Sequence, residues 1–296
     1  MSGPVSVHID EALRTEAVYS AWRSGAVSKQ EFATWVREQN PARYGLTADQ
    51  LGLATRAPLD AEGHVDACLD QLKQAGVIES VEYPKNGFRS VARVIAQQFQ
   101  HDSYLTYIFP EEARLLFALS YLTGGSRWAF LGSYYGYWAA WAMAGIVERG
   151  GEAVLVDVDR DALRLSRRNF DSLGWSDAAT FLETDATHDL DRGEFDVCVL
   201  DAEGPEDHPD MRLRDKAIYG PILEAALPTL KPGGLVIAHN MMFSNPTRID
   251  YFEAKIARNV EQYAEFQSIV DQHFDARMVL ETTEGVGVYR RSGKRA

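Results

Sequence analysis

The 296-residue sequence predicts an α/β fold: a doubly wound, mostly parallel sheet with helices on both faces, preceded by a mainly helical segment. Three observations predict it. From residue 128 onward, apolar runs alternate with helical patterns: strand 128–131, helix 138–148, strand 153–156, helix 161–173, strand 179–182, strand 195–200, helix 215–229 and strand 234–238. These runs are apolar at successive positions, as strands are when both faces of their sheet are covered. The first of them, Trp128-Ala129-Phe130-Leu131, passes through the turn Gly132-Ser133-Tyr134-Tyr135-Gly136-Tyr137 into an alanine-rich helix start at Trp138.

Each element has its own local reason. Ser28-Lys29-Gln30-Glu31 and Thr47-Ala48-Asp49-Gln50 have the spacing of capping boxes and predict two helix starts. His64 to Ala75 places Val65, Leu69 and Leu72 on one helical face, with Gly76 where a C′ residue belongs. Val77 to Tyr83 reads as a strand, Asn86-Gly87 as a turn, and Phe88 to Val94 as a second strand or the next helix. Two short helices followed by a hairpin is a winged-helix-like order, and residues 1–109 are expected to form an accessory module for dimerisation or for covering a substrate. The aromatic connector with Phe99, His101, Tyr104, Tyr107 and Phe109 is expected to pack between halves, with one of His101, Tyr104 and Tyr107 able to face a substrate. Pro110-Glu111-Glu112 starts a helix, with proline at the first position and acids at the positive end of the dipole. The remaining domain is expected to span 110–296, with a helix between Asn245 and Gln272 and an antiparallel hairpin at the end.

Composition narrows the partners. A formal net charge of −13 opposes phosphate-backbone binding, so nucleic acid is excluded as a partner and a small molecule is expected. Cys68 and Cys198 are the cysteines, and Cys198 sits inside an apolar strand, so a reduced buried thiol is expected rather than a disulfide framework. The start lacks a basic stretch followed by an apolar one, and no run approaches the roughly 18 apolar residues of a membrane span. A cytoplasmic homodimer without membrane contact is the expectation.

Ligands of such sheets bind beyond the carboxyl ends of the strands. The candidate segments are therefore Gly132 to Trp138, Asp157 to Asp159, Asp185-Ala186, Asp201 to Glu203 and His239-Asn240. Glycine at 132 and 136 can take positive φ and let a ligand approach the amides of a helix N-terminus. Asp157 ends its strand about 20 residues later, where a nucleotide-binding unit places the acid that holds a ribose diol.

The motifs Leu131 to Tyr137, Val156-Asp157-Val158-Asp159, Phe195 to Asp201 and Pro232 to Asn240, in that order, resemble those of class I S-adenosylmethionine-dependent methyltransferases. The resemblance is closest to the catechol and caffeoyl-CoA O-methyltransferase group. It covers residue 110 to the C-terminus, including Ala276 to Glu281 and Gly285 to Arg290 as the terminal hairpin, and implies a Rossmann-like seven-stranded sheet. It further implies that Gly132, Ser133, Tyr134, Gly136 and Tyr137 wrap the methionine moiety and sulfonium of S-adenosylmethionine; Trp138, at the N-terminus of the helix, is expected to contact the ligand as well. Asp157, with Val158 beside it, would accept the ribose hydroxyls, Asp185 and Ala186 would hold the adenine edge, and Asp201 would lie next to the methyl donor. Tyr134, Tyr135, Tyr137, Trp138 and Trp141 surround the segment expected to touch the cation and would offer it aromatic faces, each worth ~0.5–2 kcal/mol, unless Trp138 and Trp141, i and i+3 on a helix, are core against the sheet.

The chain also departs from the group. Phe130 stands where an acid often precedes the turn, and Trp138 where a small hydroxyl residue is common. A lysine base is missing after Asp201, where Asp201-Ala202-Glu203-Gly204 offers only Glu203. In the relatives an acid matching Asp201 binds a divalent metal together with an adjacent acid–asparagine pair, which here reads His239-Asn240. Mg²⁺ disfavours imidazole, whereas Mn²⁺, Fe²⁺ or Zn²⁺ would accept one Asp, one His and one Asn, so a divalent metal is left open. Asp201, His239 and Asn240 are the catalytic candidates. His239 is either a general base or a strand-end histidine satisfied by a backbone carbonyl. Methyl transfer to an O, N or C atom of a small molecule, in secondary metabolism, is the expected activity. One alternative is intramolecular cyclisation of S-adenosylmethionine to azetidine-2-carboxylate and methylthioadenosine, prompted by the altered anchor at Trp138. A non-catalytic adenosyl-ligand sensor is another.

Overall fold

The computed structural model describes residues 2–188 and 193–293. A short β1 (Gly3–Pro4) leads into α1 (Val5–Leu13), α2 (Ala17–Arg23), α3 (Lys29–Arg37) and α4 (Ala48–Leu53). Ser28 caps α3 with a hydrogen bond from Glu31 N (3.2 Å), and Glu31 returns the contact to Ser28 N at 2.9 Å. Thr47 N donates to Gln50 Oε1 (3.1 Å) at the start of α4. Both expected helix starts are therefore present. Their apolar faces, with Val5, Leu13, Phe32 and Leu53 fully buried, enclose a core that also takes in Phe109, Met242, Ile249 and Phe252.

The next part of the chain corrects the hairpin expectation. α5 (Ala61–Gln74) ends as expected before Gly76 at φ +72°, but residues 75–84 form neither helix nor strand. α6 (Lys85–Gln98) then absorbs Asn86-Gly87 into its first turn. The reason is periodicity: Phe88, Val91, Ala92 and Ile95 recur at helical spacing and pack on the main core, and Pro84 suits the position before a helix. Val77, Ile78 and Tyr83 insert into that core singly instead of pairing as a strand. The winged-helix hairpin is absent. α5 and α6 share one apolar cluster with Trp128, Phe130 and Trp141, so the break in sequence character at residue 110 is not a break in packing.

β2 (Leu105–Thr106) pairs with β1, and α7 (Pro110–Leu122) follows. The alternating part comprises β3 (Arg127–Leu131), α8 (Tyr137–Glu148), β4 (Glu152–Asp157), α9 (Arg160–Leu173), β5 (Ala179–Glu183), β6 (Phe195–Leu200), α10 (Tyr219–Ala226) and β7 (Leu230–Ala238). α11 (Asp250–Gln262) and α12 (Ala264–His273) precede the hairpin β8 (Phe274–Leu280) and β9 (Val286–Arg291). The single helix expected between Asn245 and Gln272 is thus two, broken at Tyr263, whose buried ring packs on Tyr219 and Phe266.

Among the described residues the main sheet has seven strands in the order β5-β4-β3-β6-β7-β9-β8. β3 to β7 are parallel; β9 runs antiparallel to β7 and to β8. The strand order reverses on either side of β3, and at such a switch point the loops diverge and open a crevice. Leu131 is in register with Val156 and Leu200, so the tips carrying Gly132, Asp157 and Asp201 emerge side by side.

Candidate functional site

The crevice is a cavity of ~710 Å³ above those strand ends. Gly132, Tyr134, Asp157, Val158, Asp185, Ala186, Asp201, His239 and Asn240 all line it. Ser133, Gly136, Tyr137 and Trp138 are not among the residues that line it. The ring of Tyr137 faces away, against Phe99, His101 and Trp141. Trp138 is buried over His239, with ring centroids 4.8 Å apart. Gly136, at φ +81°, lies so close to α9 that a Cβ would sit 2.3 Å from Ser166 Oγ. Gly132, at φ +79°, has no room for a side chain because Ala202 Cα would be 2.4 Å from it. Both glycines thus serve chain-to-chain approach.

Asp157 is held by its surroundings. Its Oδ2 accepts from Tyr134 N (2.6 Å) and its Oδ1 from Asp159 N (2.9 Å). The first bond requires Tyr134 at φ +50°, an uncommon conformation for a non-glycine residue. Burial raises the carboxyl pKa above its ordinary value, and the two amide donors oppose that rise. Asp185 is set by Thr187, whose N and Oγ1 both donate to Oδ1 at 2.8 and 2.7 Å. Val158, 70 % exposed, leaves an isopropyl group at the cavity.

Below Asp201 lies a group not foreseen from the sequence. His239 Nδ1 is 3.2 Å from Asp201 Oδ1, and its Nε2 is 3.1 Å from Oε2 of Glu112 on α7. Glu112 is fully buried; it also accepts from Phe109 N (3.0 Å), Thr282 Oγ1 (2.8 Å) and Glu284 N (2.8 Å). Burial alone would lower the histidine pKa, but the charges of Asp201 and Glu112 dominate and raise it to about 10. Its two ring nitrogens face the carboxylates of Asp201 and Glu112 rather than a backbone carbonyl. The adjacent Glu111 is pushed up to about 7 by burial and by the charge of Glu112, while Thr283 N donates to it at 2.9 Å. The Pro-Glu-Glu pattern announced a helix start and concealed this second role of Glu112. The only sequence hint was that a histidine ending a buried strand needs partners.

The donor set does not fit the divalent metal that the resemblance raised. Both histidine nitrogens are taken by carboxylates, which leaves Asp201 and Asn240. Among the described residues no three His, Cys, Asp or Glu side chains group as a metal site.

The other wall comes from distant segments: Asp49 of α4, Leu105 to Ile108, Glu284, and a stripe of α11 made of Tyr251, Lys255, Arg258 and Gln262. Of the three connector aromatics, Tyr107 faces the cavity; His101 and Tyr104 pack on Tyr135. Lys255 pairs with Glu284 at 2.6 Å and Lys216 with Glu203 at 3.4 Å, whereas Arg258, exposed at the rim, is in no ion pair among the described residues. Among the described residues, no helix is long and apolar enough to cross a membrane.

The fold and crevice define a class: a Rossmann-like α/β domain with a C-terminal antiparallel hairpin and an acid at the tip of each strand flanking β3. Residues 129–241 match the family model described as "Methyltransferase domain". A Staphylococcus aureus structure provisionally described as a caffeoyl-CoA O-methyltransferase has a TM-score of 0.50 at 14% identity, covering 77% of this chain and 99% of that one. The O-methyltransferase TomG from Streptomyces achromogenes, in complex with SAM, gives 0.47 at 15% identity, with 77% and 96% covered. A Bacillus cereus O-methyltransferase in complex with SAH gives 0.45 at 17% identity, with 79% and 100% covered. The first of these likenesses establishes the shared fold. No curated protein matches the sequence.

Proposed function

We propose that the protein is an S-adenosylmethionine-dependent methyltransferase acting on a small molecule. Asp157 carries the reading. Each of its oxygens accepts one backbone N–H and keeps a further lone pair toward the cavity, the arrangement a ribose diol needs. Val158 and Ala186 supply apolar contact for a purine, with Asp185 at its edge.

When bound, S-adenosylmethionine supplies an electrophilic methyl group. The chain's own part is positioning and electrostatics. Asp157, Asp159, Asp185, Asp201 and Glu203 put a negative field around the cavity, which favours a sulfonium and an ammonium and disfavours a polyanion. Lys216 is tied to Ala202 O at 2.9 Å and to Glu203, which holds its side chain in place at the cavity wall. Asp201 is the carboxylate placed to accept a proton from an acceptor hydroxyl or amine. Residues 1–109 supply Asp49 and Tyr107 to the opposite wall, which supports an acceptor-enclosing role for this segment.

The cyclisation alternative is less favoured, because the matched family model is that of a methyltransferase domain. The test is incubation with S-adenosylmethionine, with and without candidate acceptors, followed by mass spectrometry. S-adenosylhomocysteine formed only with an acceptor is expected. Methylthioadenosine formed without one would replace methyl transfer by cyclisation, and calorimetry showing no binding of either nucleotide would remove the reading.

A further inference from the structure

We infer that the methyl acceptor is a small acid with a single negative charge, a carboxylate read by Arg258, and not a coenzyme A thioester or other polyanion. The inference rests on the methyltransferase reading above and names the acceptor class of that same cavity.

The charges of the cavity are unequal. Nine Asp and Glu residues and three Lys and Arg residues line it. Two of the cations are matched within the protein: Lys216 lies 3.4 Å from Glu203, and Lys255 lies 2.6 Å from the buried Glu284. Arg258 is in no ion pair among the described residues. A guanidinium stays charged at any working pH, and its planar fork matches the two oxygens of a carboxylate. An acceptor with one carboxylate therefore brings one charge to one unmatched cation. A coenzyme A thioester brings several phosphate charges into a field set by the surplus of acids, which repels them.

The other polar groups of this wall are engaged within the protein. Gln262 Nε2 donates to Asp215 Oδ2 (2.9 Å), and Asn259 Nδ2 to Met242 O (2.8 Å). Asp49 accepts from Thr47 Oγ1, and Gln50 Nε2 donates to the Tyr107 hydroxyl at 3.2 Å, which holds that phenol in place. Beside these groups the wall presents Leu105, the Tyr107 ring and the half-exposed Tyr251. Apolar and aromatic surface of this kind suits a flat hydrocarbon body, with the polar end left to Arg258.

Location separates this carboxylate from the one on the cofactor. Tyr251, Lys255, Arg258 and Gln262 follow one another at steps of four, three and four residues along α11, so they share a face. Arg258 stands one turn, ~6 Å along the axis, before Gln262. The partner of Gln262, Asp215, is bridged to Gly204 in the loop after β6 that begins with Asp201. Arg258 is thereby placed on the β6 side of β3, whereas Asp157 and Asp185 follow β4 and β5 on the other side.

Equilibrium binding to the full chain tests this, with wild type and Arg258→Ala each saturated with S-adenosylhomocysteine. The probes are hydroxybenzoates and hydroxycinnamates, each paired with its carboxamide, and caffeate paired with its coenzyme A thioester. In the wild type the acid of at least one skeleton is expected to bind about tenfold more tightly than its amide, and caffeate more tightly than its thioester. Arg258→Ala is expected to erase the advantage of the acid while leaving the affinity of the amide and the circular dichroism as they were; Arg258→Lys should restore part of it. No acid preferred to its amide, a thioester bound more tightly than the free acid, or a preference that survives Arg258→Ala overturns the inference. So does a fall in S-adenosylhomocysteine affinity in Arg258→Ala, because the arginine would then read the carboxylate of the cofactor. If the wild type binds no S-adenosylhomocysteine, the methyltransferase reading is removed, and the acid and amide pairs on the nucleotide-free protein still decide whether Arg258 reads a carboxylate.

Discussion

The cavity wall formed by the loops after β3, β4 and β5 draws Gly132, Tyr134, Asp157, Val158, Asp185 and Ala186 from positions directly following their strands. The facing wall collects Asp49, Tyr107, Tyr251, Lys255, Arg258 and Glu284 from segments scattered along the chain. The first wall is positioned by local hydrogen bonds, such as Tyr134 N and Asp159 N to Asp157, and by close backbone approach at Gly132. The second is positioned by side-chain packing between α1–α4 and α11, at a seam that includes fully buried Phe252. One wall therefore tolerates changes in the other, and a ligand held mainly by the first should be separable from one held mainly by the second.

The largest expected effect breaks the second wall. Phe252→Ala should destabilise the protein by about 3–5 kcal/mol, because it opens a cavity between α4 and α11; urea denaturation measures this. The folded fraction should still bind S-adenosylhomocysteine, and a parallel loss of binding would mean the walls are not independent. Asp157→Ala attacks the first wall. Loss of two charge-assisted contacts should weaken S-adenosylhomocysteine about 100-fold by calorimetry, with unchanged circular dichroism. Unchanged affinity would take the ribose away from Asp157.

A smaller effect sharpens the contrast. Among the described residues Arg258 is the cavity-wall cation without an acidic partner, so Arg258→Ala should raise KM for an acceptor bearing a carboxylate by about tenfold while leaving cofactor affinity alone. Equal loss for charged and neutral acceptors would show that Arg258 reads no charge.

The smallest effect concerns pH. Glu111 has its folded pKa pushed up to about 7 from an ordinary 4.5, so the folded state binds the extra proton between those values. Stability from this group is fully present below about pH 4.5 and lost as pH rises through about 7. The melting temperature should fall by a few degrees across that window, and Glu111→Gln should flatten the fall. An unchanged slope in the variant would place the dependence elsewhere.

How much of this was legible in the sequence follows the same division. Apolar runs, the glycine turn, strand-end acids and the order of motifs determined the doubly wound sheet and the placing of Gly132, Asp157 and Asp201 at its strand ends, because each depends on residues close in sequence and on a backbone with few ways to pack. Local logic left two readings where two patterns shared a short window: Phe88 to Val94 read as a second strand or the next helix, and the helical spacing of Phe88, Val91 and Ile95 prevailed once a core was there to receive it, while Val77 to Tyr83 is not a strand. Tertiary structure alone decided which way the turn aromatics faced, turning Tyr137 and Trp138 away from the cavity. It also decided that Glu112 reaches His239. A side chain's properties depend on what lies within about 3–4 Å of it, and for His239 one of those neighbours, Glu112, comes from the first turn of α7, a distance in sequence that no local pattern encodes.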